Sequence, residues 1–401
     1  MSELLVVAAA EQLIRQQMPL FGSERVSLDK ASGRVLRQSI HAERDQPPFD
    51  RAMMDGIAIS TAGNETRRRF ARAGLQLAGM ATQSLGDAAG CMEITTGAIL
   101  PDGCDAVVPI EQTHRDGEYF CLAEGCTPTA GQFVHPRGSD CLAGALLLEP
   151  GVRLRATEIG VLAANGMAQV EVASIPSIAI IATGDELAEV DQPLAEGQIR
   201  RSNDRALAAA LQARGFDDVL LTCVADDLVA TTAALGELLQ AHQVLVLSGG
   251  VSVGQRDYVP DALRALGVRQ VLHRIAQRPG KPMWFGIGPQ GQAVFALPGN
   301  PVSALVCAVR YVLPALLQAI GQHAEPPTPV CLAADTRINP QLTSFVPVQV
   351  HHEDDGRTTA QPLAPHTSGD FSALPQTQGF VQLPPGEGFA PAGTVADLYR
   401  W

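Results

Sequence analysis

The segment with the clearest chemical meaning is residues 248–258, which read SGGVSVGQRDY and follow the apolar run QVLVL. Gly249 and Gly254 have the G-x-x-x-x-G spacing of a phosphate-binding P-loop, but Gln255 and Arg256 stand where that motif requires Lys and then Ser or Thr. Glycine lets the backbone approach a ligand closely and adopt a positive φ. The segment therefore predicts a ligand contact, while the missing lysine argues against a nucleoside triphosphatase.

Four other short segments of the same region also follow predicted strands. They are TGDE at 183–186, ADD at 225–227, RPGKP at 278–282 and PGNP at 298–301. Ligands of an open parallel sheet bind outside the carboxyl ends of its strands. We therefore expect these four segments and the glycine-rich segment to meet at one rim of a sheet.

This rim combines groups that attract an anion with groups that repel one. Backbone amides beside glycines, the helix start after Asn300, and the cations Arg278 and Lys281 favour an anion. Lys281 stands out because the chain has only two lysines among its 29 basic residues. Four acids on the same rim would repel a phosphate unless a hard cation such as Mg²⁺ bridges them to it; they are Asp185, Glu186, Asp226 and Asp257. The combination predicts metal-assisted phosphoryl or nucleotidyl chemistry.

The region that carries these residues, 178–320, alternates strand and helix patterns. Short apolar runs such as SIAIIAT and QVLVLS are typical of buried strands, and SNDRALAAALQARG is typical of a helix with Ser202 or Asn203 at its N-cap. Such alternation predicts a doubly wound, mainly parallel α/β sheet. The fold class is therefore α/β in this region.

The last helix of that region has strong terminal signals. In LPGNPVSALVCAVRYVLPALLQAI, Asn300 suits the N-cap and Pro301 suits the first helical position. We expect Pro314 to kink or end the helix, because proline lacks the backbone N–H and crowds the preceding turn.

The flanking regions are rich in turns and short β-like runs. Residues 27–175 contain turn pairs such as Pro47-Pro48 and predict β-rich structure. After the linker EPPTP at 325–329, an Asp355-Gly356 turn between two alternating runs predicts a hairpin in a small β-barrel or sandwich. The chain is therefore expected to be multidomain, with β-rich parts on both sides of the α/β region.

Composition excludes several classes of protein. A net charge of −13 and a pI near 5.1 argue against a nucleic-acid surface. No apolar run approaches the ~20 residues of a membrane span, and LLVVAAAEQLIRQQM reads as an amphipathic helix with a Glu11–Arg15 pair rather than as a signal peptide. Eight cysteines without a C-x-x-C spacing are expected to be reduced, which predicts a cytoplasmic protein without a zinc site.

The motifs of the chain together resemble one known family. TGDEL, SGGVSVGQRDY, RPGKP and LPGNPVS, preceded by FDRAMMDGIAI, TTGAILPDGCDAVV and PRGSD, are similar in sequence and order to the molybdopterin molybdenumtransferase (MoeA) family, which includes the E domain of gephyrin. The match runs from about Pro47 to Ser303. The C-terminal HTSGDFSAL resembles the family's tail motif more loosely.

The resemblance implies an activity and an architecture. The activity is Mg²⁺-dependent insertion of molybdate into adenylylated molybdopterin, with release of AMP and formation of molybdenum cofactor. The architecture is a homodimer whose reaction centre is built between subunits, and the molybdopterin adenylyltransferase is a further expected partner. Four domains are implied. Residues 1–46 together with 142–175 form an elongated linker domain, and residues 47–141 form a β-rich domain. Residues 176–323 form an α/β molybdopterin-binding domain, and residues 324–401 form a C-terminal β-barrel.

The resemblance also implies site residues, which add to those of the rim. The expected catalytic acids are Asp55, Asp140, Glu186, Asp226 and Asp257, of which Glu186, Asp226 and Asp257 are the expected metal ligands. The expected substrate-binding residues are Thr96, Gly97, Arg137, Thr183, Gly184, Ser248, Gly249, Gly250, Ser252, Gly254, Arg278, Gly280, Lys281, Pro298, Asn300 and Pro301.

Several residues depart from the family's pattern. Arg51 stands where the family usually has Asn, Arg201 where an Asp is common, Ser139 where a Glu is common, and Arg278 replaces a Lys. Arg51 and Arg201 therefore motivate a second hypothesis, a non-enzymatic paralogue that binds the pterin nucleotide or a partner protein. A third hypothesis is a molybdopterin adenylyltransferase, against which the extra β-rich regions count.

Overall fold

The computed structural model describes residues 4–251, 258–363 and 367–401. The chain forms two compact units. The first consists of Met1–Arg37, Pro150–Ala156 and Gln169–Trp401, and the second of Gln38–Glu149 and Thr157–Ala168. The finer division into four domains stays a prediction.

A six-stranded sheet forms the α/β part of the first unit. Its strands, in spatial order, are Val219–Val224, Ile178–Thr183, Val244–Ser248, Ala293–Leu297, Trp284–Ile287 and Arg269–His273. The first four are parallel, and Trp284–Ile287 runs antiparallel to both of its neighbours. The predicted mainly parallel sheet is confirmed, and Trp284–Ile287 is an additional strand that the sequence patterns do not predict.

Helices cover both faces of this sheet, so the predicted doubly wound arrangement is confirmed. Alternate residues of a strand point to opposite faces. Ile178 and Ile180 accordingly belong to one hydrophobic core, whereas Ala179 and Ile181 belong to the other. Val7–Gln17, Asn203–Gln212 and the helix that starts at Pro301 contribute to the first core, and Leu228–Ala241 and Val259–Ala265 contribute to the second.

The helix that starts at Pro301 runs on to Ala319, past Pro314. Asn300 occupies its N-cap position, as predicted. A π-helical segment, Ala308–Val312, separates the α-helical parts Pro301–Cys307 and Leu313–Ala319. Of the two outcomes expected at Pro314, a kink or an end, the end is wrong, because the helix continues to Ala319. The helix departs from regular α geometry directly before Pro314, where the wider π turn accommodates a residue that has no N–H to donate and a ring that crowds a regular α-helical turn.

The same helix bears on the expected absence of a membrane span. Among the described residues, Pro301–Ala319 is the one helix long and apolar enough to cross a membrane, with a mean hydropathy of 1.7. However, 78% of it is buried inside the protein. Its apolar character is therefore accounted for by packing in the core.

The C-terminal part of the first unit is a closed five-stranded β-barrel. Its strands are Thr328–Leu332, Thr343–His352, Thr358–Pro362, Gly379–Leu383 and Val395–Arg400. Pairing of Gly379–Leu383 with Thr343–His352 closes the barrel. The predicted hairpin turn is also confirmed, because His352 pairs with Thr358 and Gly356 has a φ of +84°.

The first unit contains several shorter elements. The amino-terminal segment is the helix Val7–Gln17, with the predicted Glu11–Arg15 ion pair at 2.7 Å. A 3₁₀ turn occurs at Leu28–Lys30 and another at Leu374–Gln376. The short strands form the pairs Ser23–Ser27 with Gln169–Ala173, Leu187–Ala188 with Ile199–Arg200, and Thr336–Arg337 with Phe389–Ala390.

The second unit is β-rich, as predicted. Its six-stranded sheet has the spatial order Ala106–Pro109, Gly56–Ile59, Gly90–Ile94, Arg69–Gln76, Tyr119–Leu122 and Thr113–Asp116. Cores on its two faces include Ile57 with Phe70 on one side and Ala58 with Met92 on the other. The remaining elements are Ile40–His41, Arg51–Ala52, Ile110–Gln112, Val134–His135, Leu146–Leu148 and the helix Ala156–Ala164.

Candidate active site

A cavity of about 740 Å³ lies at the carboxyl ends of the parallel strands in the first unit. We call it the acidic cavity, because Glu186 and Asp226 line it. All five predicted rim segments contribute to its wall, but RPGKP contributes only Pro282. The predicted residues in the lining are Thr183, Glu186, Asp226, Ser248, Gly249, Gly250, Pro298, Asn300 and Pro301.

Glycines are required where the loop after Val244–Ser248 enters this cavity. Gly249 has a φ of +104°, and a β-carbon built on it would lie 2.6 Å from Thr183 Oγ1. Gly250 has a φ of +68°, and its β-carbon would lie 2.6 Å from Val259 Cγ2. No side chain larger than hydrogen fits either position, so the backbone itself forms this part of the wall.

Two buried oxygens at the wall have no hydrogen-bond partner among the described residues. They are Thr183 Oγ1 and Asn203 Oδ1. The Asn203 amide is held by its Nδ2, which donates to Ser248 Oγ at 2.9 Å and to the Gly299 carbonyl at 2.7 Å. Buried polar atoms without partners are rare in folded proteins, and an unbound ligand is one reason for them. Asn203 was considered from the sequence only as a helix cap, and its role in the wall was missed.

The acids of this cavity offer oxygen ligands only. Glu186 folds back over Gly184, where a β-carbon would meet Glu186 Oε2 at 2.7 Å. Asp226 lies on the next loop, and its backbone N–H donates to Asp185 Oδ1 at 3.1 Å. Two carboxylates with nearby hydroxyl and amide oxygens suit Mg²⁺, which usually takes one or two carboxylates and completes its shell with water and phosphate.

The predicted third metal ligand cannot be placed in this arrangement. Asp257 lies outside the described residues, as do the predicted substrate-binding residues Ser252 and Gly254. Within the described parts of the chain, no three His, Cys, Asp or Glu side chains converge in the manner of a metal site. The pair Glu186 and Asp226 is therefore what the described residues offer to a cation.

Arg201 lines the acidic cavity, but its charge is already paired. Its side chain is only 6% exposed, and its Nε and Nη2 donate to Asp204 Oδ2 at 3.0 and 2.5 Å. Its Nη1 also donates to Glu189. Burial opposes the charge of Arg201, but the hydrogen bond and attraction of Asp204 leave its pKa raised. This departure from the family's pattern is compensated within the same wall.

A second cavity of about 740 Å³ adjoins the first and shares Pro282 and Asn300 with it. We call it the basic cavity, because Arg278, Lys281 and Arg337 line it. Within the described residues, none of these three cations forms an ion pair. Three unpaired cations in one cavity favour an anionic ligand.

The wall of the basic cavity comes from both parts of the first unit. Gln277–Arg278 forms a short strand that pairs in parallel with Thr343–His352 of the barrel, and Arg337 comes from the short strand Thr336–Arg337, which precedes that barrel strand in the chain. Ser368, which belongs to the loosely matching tail motif, accepts a hydrogen bond from Asn300 Nδ2 at 2.8 Å. No local motif marks Arg337, because only the fold of the C-terminal part brings it into the same cavity wall as Lys281.

A buried chain of polar groups supports the predicted Gly280 and its neighbour Lys281. Tyr311 donates to Gln277 Oε1, Gln277 Nε2 donates to Cys307 Sγ at 3.5 Å, and the Cys307 thiol donates to the Gly280 carbonyl at 3.7 Å. Burial raises the pKa of the Cys307 thiol to about 12, so the thiol keeps its proton and can donate. These hydrogen bonds anchor the RPGKP loop to buried side chains of the first unit.

The remaining predicted residues lie in the second unit, where Asp55 has a defined environment. Asp55 Oδ1 accepts hydrogen bonds from the Thr96 backbone N–H at 2.6 Å and the Thr96 hydroxyl at 2.7 Å. The backbone bond and then the hydroxyl bond lower the pKa of Asp55, so the carboxylate is ionised. Gly97 allows the turn, with a φ of +80°, and its N–H donates to the Ala52 carbonyl at 2.9 Å.

Arg137 and Asp140 lie on the same loop of the second unit. Arg137 Nε donates to Asp45 Oδ2 at 2.8 Å, and its backbone N–H donates to Asp50 Oδ1 at 2.7 Å. The Asp140 carboxylate contacts His135 Nε2 at 2.7 Å. Both side chains remain more than half exposed, so each can also contact a ligand.

Comparison with known proteins agrees with this architecture. A family model of the MoeA N-terminal region (domains I and II) matches residues 5–166, a probable molybdopterin binding domain matches 179–318, and the MoeA C-terminal region (domain IV) matches 329–401. The three matches follow one another along the chain, with the molybdopterin binding domain between the N-terminal and C-terminal regions.

Full-length relatives and a solved structure give the same result. The chain is 39% identical to the molybdopterin molybdenumtransferase of Synechocystis sp. over 99% of its own length and 100% of that protein, and 33% identical to that of Synechococcus elongatus over 98% of each. The crystal structure of a molybdopterin biosynthesis MoeA protein from Pyrococcus horikoshii is similar with a TM-score of 0.82 and 28% identity over 99% of both chains. The chain belongs to the molybdopterin molybdenumtransferase family.

Proposed function

We propose that the protein inserts molybdate into adenylylated molybdopterin, releasing AMP and forming molybdenum cofactor. The observation that carries this proposal is a pair of adjoining cavities, one with the carboxylates of Glu186 and Asp226 in its wall and the other with three cations that form no ion pair among the described residues. A reaction that brings a nucleotide, an oxyanion and a divalent cation together needs cationic and acidic groups side by side. The names of the full-length relatives support the same reaction.

The acidic cavity is proposed to hold the phosphate-bearing part of the pterin nucleotide. The backbone at Gly249 and Gly250 can approach the ligand closely, and Thr183 Oγ1 and Asn203 Oδ1 lack partners that a polar ligand can supply. A magnesium ion held by Glu186 and Asp226 would neutralise charge between these carboxylates and the phosphate oxygens. The protein's own contribution is to orient the nucleotide with a wall of fixed backbone groups.

The basic cavity is proposed to bind the oxyanionic groups of the substrates, molybdate or phosphate. Arg278, Lys281 and Arg337 supply positive charge without carboxylate partners in the described structure. Asn300 stands at the boundary of both cavities and carries the N-cap of the helix that starts at Pro301. Bound molybdate would therefore lie beside the nucleotide rather than apart from it.

The paired environment of Arg201 speaks against the non-enzymatic hypothesis. A buried arginine without partners would be expected to repel magnesium or to bind the phosphate wrongly. Instead, Asp204 and Glu189 neutralise Arg201 within the wall.

We further propose that the protein works as a cytoplasmic homodimer and receives its substrate from a molybdopterin adenylyltransferase.

The decisive experiment measures AMP release from adenylylated molybdopterin with magnesium, with and without molybdate. We expect molybdate-dependent release by the wild type and its loss in Glu186→Ala. Asp191→Ala is the matched control, because Asp191 is an exposed acid that lines neither cavity. Tight binding of the pterin nucleotide without AMP release would overturn the proposal and support the non-enzymatic hypothesis.

A further inference from the structure

The second unit contains a three-residue relay that includes Arg51, one of the residues that depart from the family's pattern. Arg51–Ala52 pairs with the antiparallel strand Val134–His135, and the register places Arg51 directly opposite His135. Arg51 Nε and Nη2 lie 3.4 and 3.2 Å from His135 Nδ1. On the other side of the ring, His135 Nε2 lies 2.7 Å from Asp140 Oδ1.

These contacts determine where the histidine carries its proton. A guanidinium has five N–H donors and no acceptor, so His135 Nδ1 must accept from Arg51 and cannot carry a hydrogen. The neutral ring then carries its hydrogen on Nε2, the nitrogen that faces Asp140. A carboxylate accepts such a hydrogen bond, so all three groups have compatible donor and acceptor roles.

The relay restricts a carboxylate that is otherwise free to rotate. The Asp140 side chain is 53% exposed, whereas that of His135 is 25% exposed and is held between the two partners. The Asp140 backbone is fixed separately, because its N–H donates to the Gln46 carbonyl at 2.9 Å. Rotation of the carboxyl group is therefore the freedom that remains, and the hydrogen bond from His135 limits it.

We propose that Arg51 and His135 are positioning residues for Asp140. The inference rests on the proposed function and on the role of Asp140 as a catalytic acid, which the family resemblance implies. Arg51 and Asp140 together favour the Nε2–H tautomer of His135, and the hydrogen bond from His135 holds Asp140 Oδ1, which leaves Asp140 Oδ2 to face a ligand. The arginine at the family's usual Asn position thus serves the reaction instead of disrupting it.

Two measurements on the full-length protein test this relay. The first is the ¹⁵N spectrum of histidine-labelled protein at alkaline pH, where histidine rings are uncharged. We expect His135 to carry its hydrogen on Nε2 in the wild type, to show a larger share of the Nδ1 tautomer in Arg51→Met, and to mix both tautomers fully in the double variant Arg51→Met/Asp140→Ala, because the Asp140 carboxylate also favours a hydrogen on Nε2. Arg69→Met is the control, because Arg69 is an exposed arginine of the same unit that pairs with Asp116. A wild-type hydrogen on Nδ1 would overturn the inference whether or not the protein releases AMP.

The second measurement is the rate of AMP release. We expect Arg51→Met and His135→Leu to lower kcat about tenfold with little change in KM, because a misplaced acid slows the reaction without removing a substrate contact. His135→Gln, which keeps a donor near the Nε2 position, should recover part of the rate. Adding Arg51→Met to Asp140→Ala should cost nothing further. Wild-type kcat in Arg51→Met, or an additive loss in the double variant, would overturn the relay.

Discussion

Asp55 accepts two hydrogen bonds from one residue, Thr96, through the backbone N–H at 2.6 Å and through the hydroxyl at 2.7 Å. Both bonds favour the ionised carboxylate, and they lower the pKa of Asp55, with the backbone bond as the larger cause. A carboxylate held in this way is ready to act at neutral pH. Removal of the Thr96 hydroxyl would take away one of these two hydrogen bonds and leave the other in place.

Thr96→Val removes the hydroxyl and keeps the branched shape. The pKa of Asp55 should rise toward its usual range, so the acid limb of the AMP-release profile should move to higher pH. The stability effect has the same origin: a depressed carboxylate pKa stabilises the fold above the unfolded-state pKa, and this stability is lost as the pH falls through the folded-state pKa. Thr96→Val should therefore be less stable than the wild type at neutral pH, and the difference should disappear in acid.

The control for this change is Thr113→Val. Thr113 lies in the same unit, and its hydroxyl donates to the Ile110 carbonyl at 3.0 Å rather than to a carboxylate. It should leave the acid limb in place. An identical shift in both variants would mean that the hydroxyl bond to Asp55 is not its cause.

Gly280 and Gly291 form a natural pair for testing how the RPGKP loop is packed. Both have a φ of +91°. A β-carbon on Gly280 would lie 2.5 Å from Cys307 Sγ and 2.6 Å from Gln277 Nε2, whereas one on Gly291 would meet nothing within 4 Å. Alanine at either position costs about 1 kcal/mol or more for its left-handed backbone. Gly280→Ala should cost about 1–3 kcal/mol beyond this, because it overpacks a buried site.

Urea unfolding of the two alanine variants measures this difference directly. We expect a lower midpoint for Gly280→Ala than for Gly291→Ala and weaker oxyanion binding in the former alone, because the displaced loop carries Lys281. Equal midpoints would show that the chain from Tyr311 to Gly280 is loosely packed.

The sheet was predictable from the sequence because burial of its strands leaves a local signature. Residues 178–182, IAIIA, are apolar at every position, and Ile178 and Ala179 pack into opposite cores. The path of the chain at Pro314 was predictable only in part, because the proline indicates an irregularity in the helix but no local pattern shows that the helix continues after a π-helical segment, Ala308–Val312. Local sequence patterns therefore predict the strands and helices, whereas the π-helical segment of the last helix is visible only in the structure.

The same distinction applies to the candidate site. The segments TGDE, ADD and PGNP could be placed at one rim because the carboxyl ends of parallel strands share an edge. Arg337 could not, because it lies in a short strand that pairs with Phe389–Ala390, and only the fold of the C-terminal part brings that strand to the basic cavity. One of the two acidic partners of Arg201, Glu189, could not be predicted either, since only the folded loop brings it to Arg201.

Lys281→Arg tests whether the basic cavity requires a compact cation. The ammonium of lysine is a point charge, whereas a guanidinium is a planar fork with a fixed set of donors. Beside the buried Gly280, this fork should misplace its donors by about an ångström and weaken pterin-nucleotide binding by about tenfold or more. The measurement is calorimetric titration with adenylylated molybdopterin.

Arg15→Lys is the control for this substitution. Arg15 is half-exposed, pairs with Glu11 and lines neither the acidic nor the basic cavity. Exchange of the two cations there should leave the affinity unchanged. Unchanged affinity in Lys281→Arg would show that binding of the pterin nucleotide does not require a lysine at this position. A loss restored at low salt would instead indicate a general charge effect.

The proposed homodimer gives the last prediction, which concerns how one reaction centre is divided between chains. Asp55 lies in the second unit and Glu186 in the first. If each centre takes Asp55 from one subunit and Glu186 from the other, a dimer of an Asp55→Ala chain with a Glu186→Ala chain has one centre with both lesions and one with neither. Each parent homodimer, in contrast, has a lesion in both centres.

Co-expression of the two variants in equal amounts should yield about half heterodimers, so AMP release should recover to about a quarter of the wild-type rate. Purified heterodimer, separated through different affinity tags, should reach about half, because one of its two centres is intact. A mixture of separately purified homodimers that do not exchange subunits is the control and should stay inactive. A centre built within one chain predicts no recovery in the heterodimer, since every chain carries a lesion. Such a result would refute the shared centre while leaving the reaction itself unchallenged.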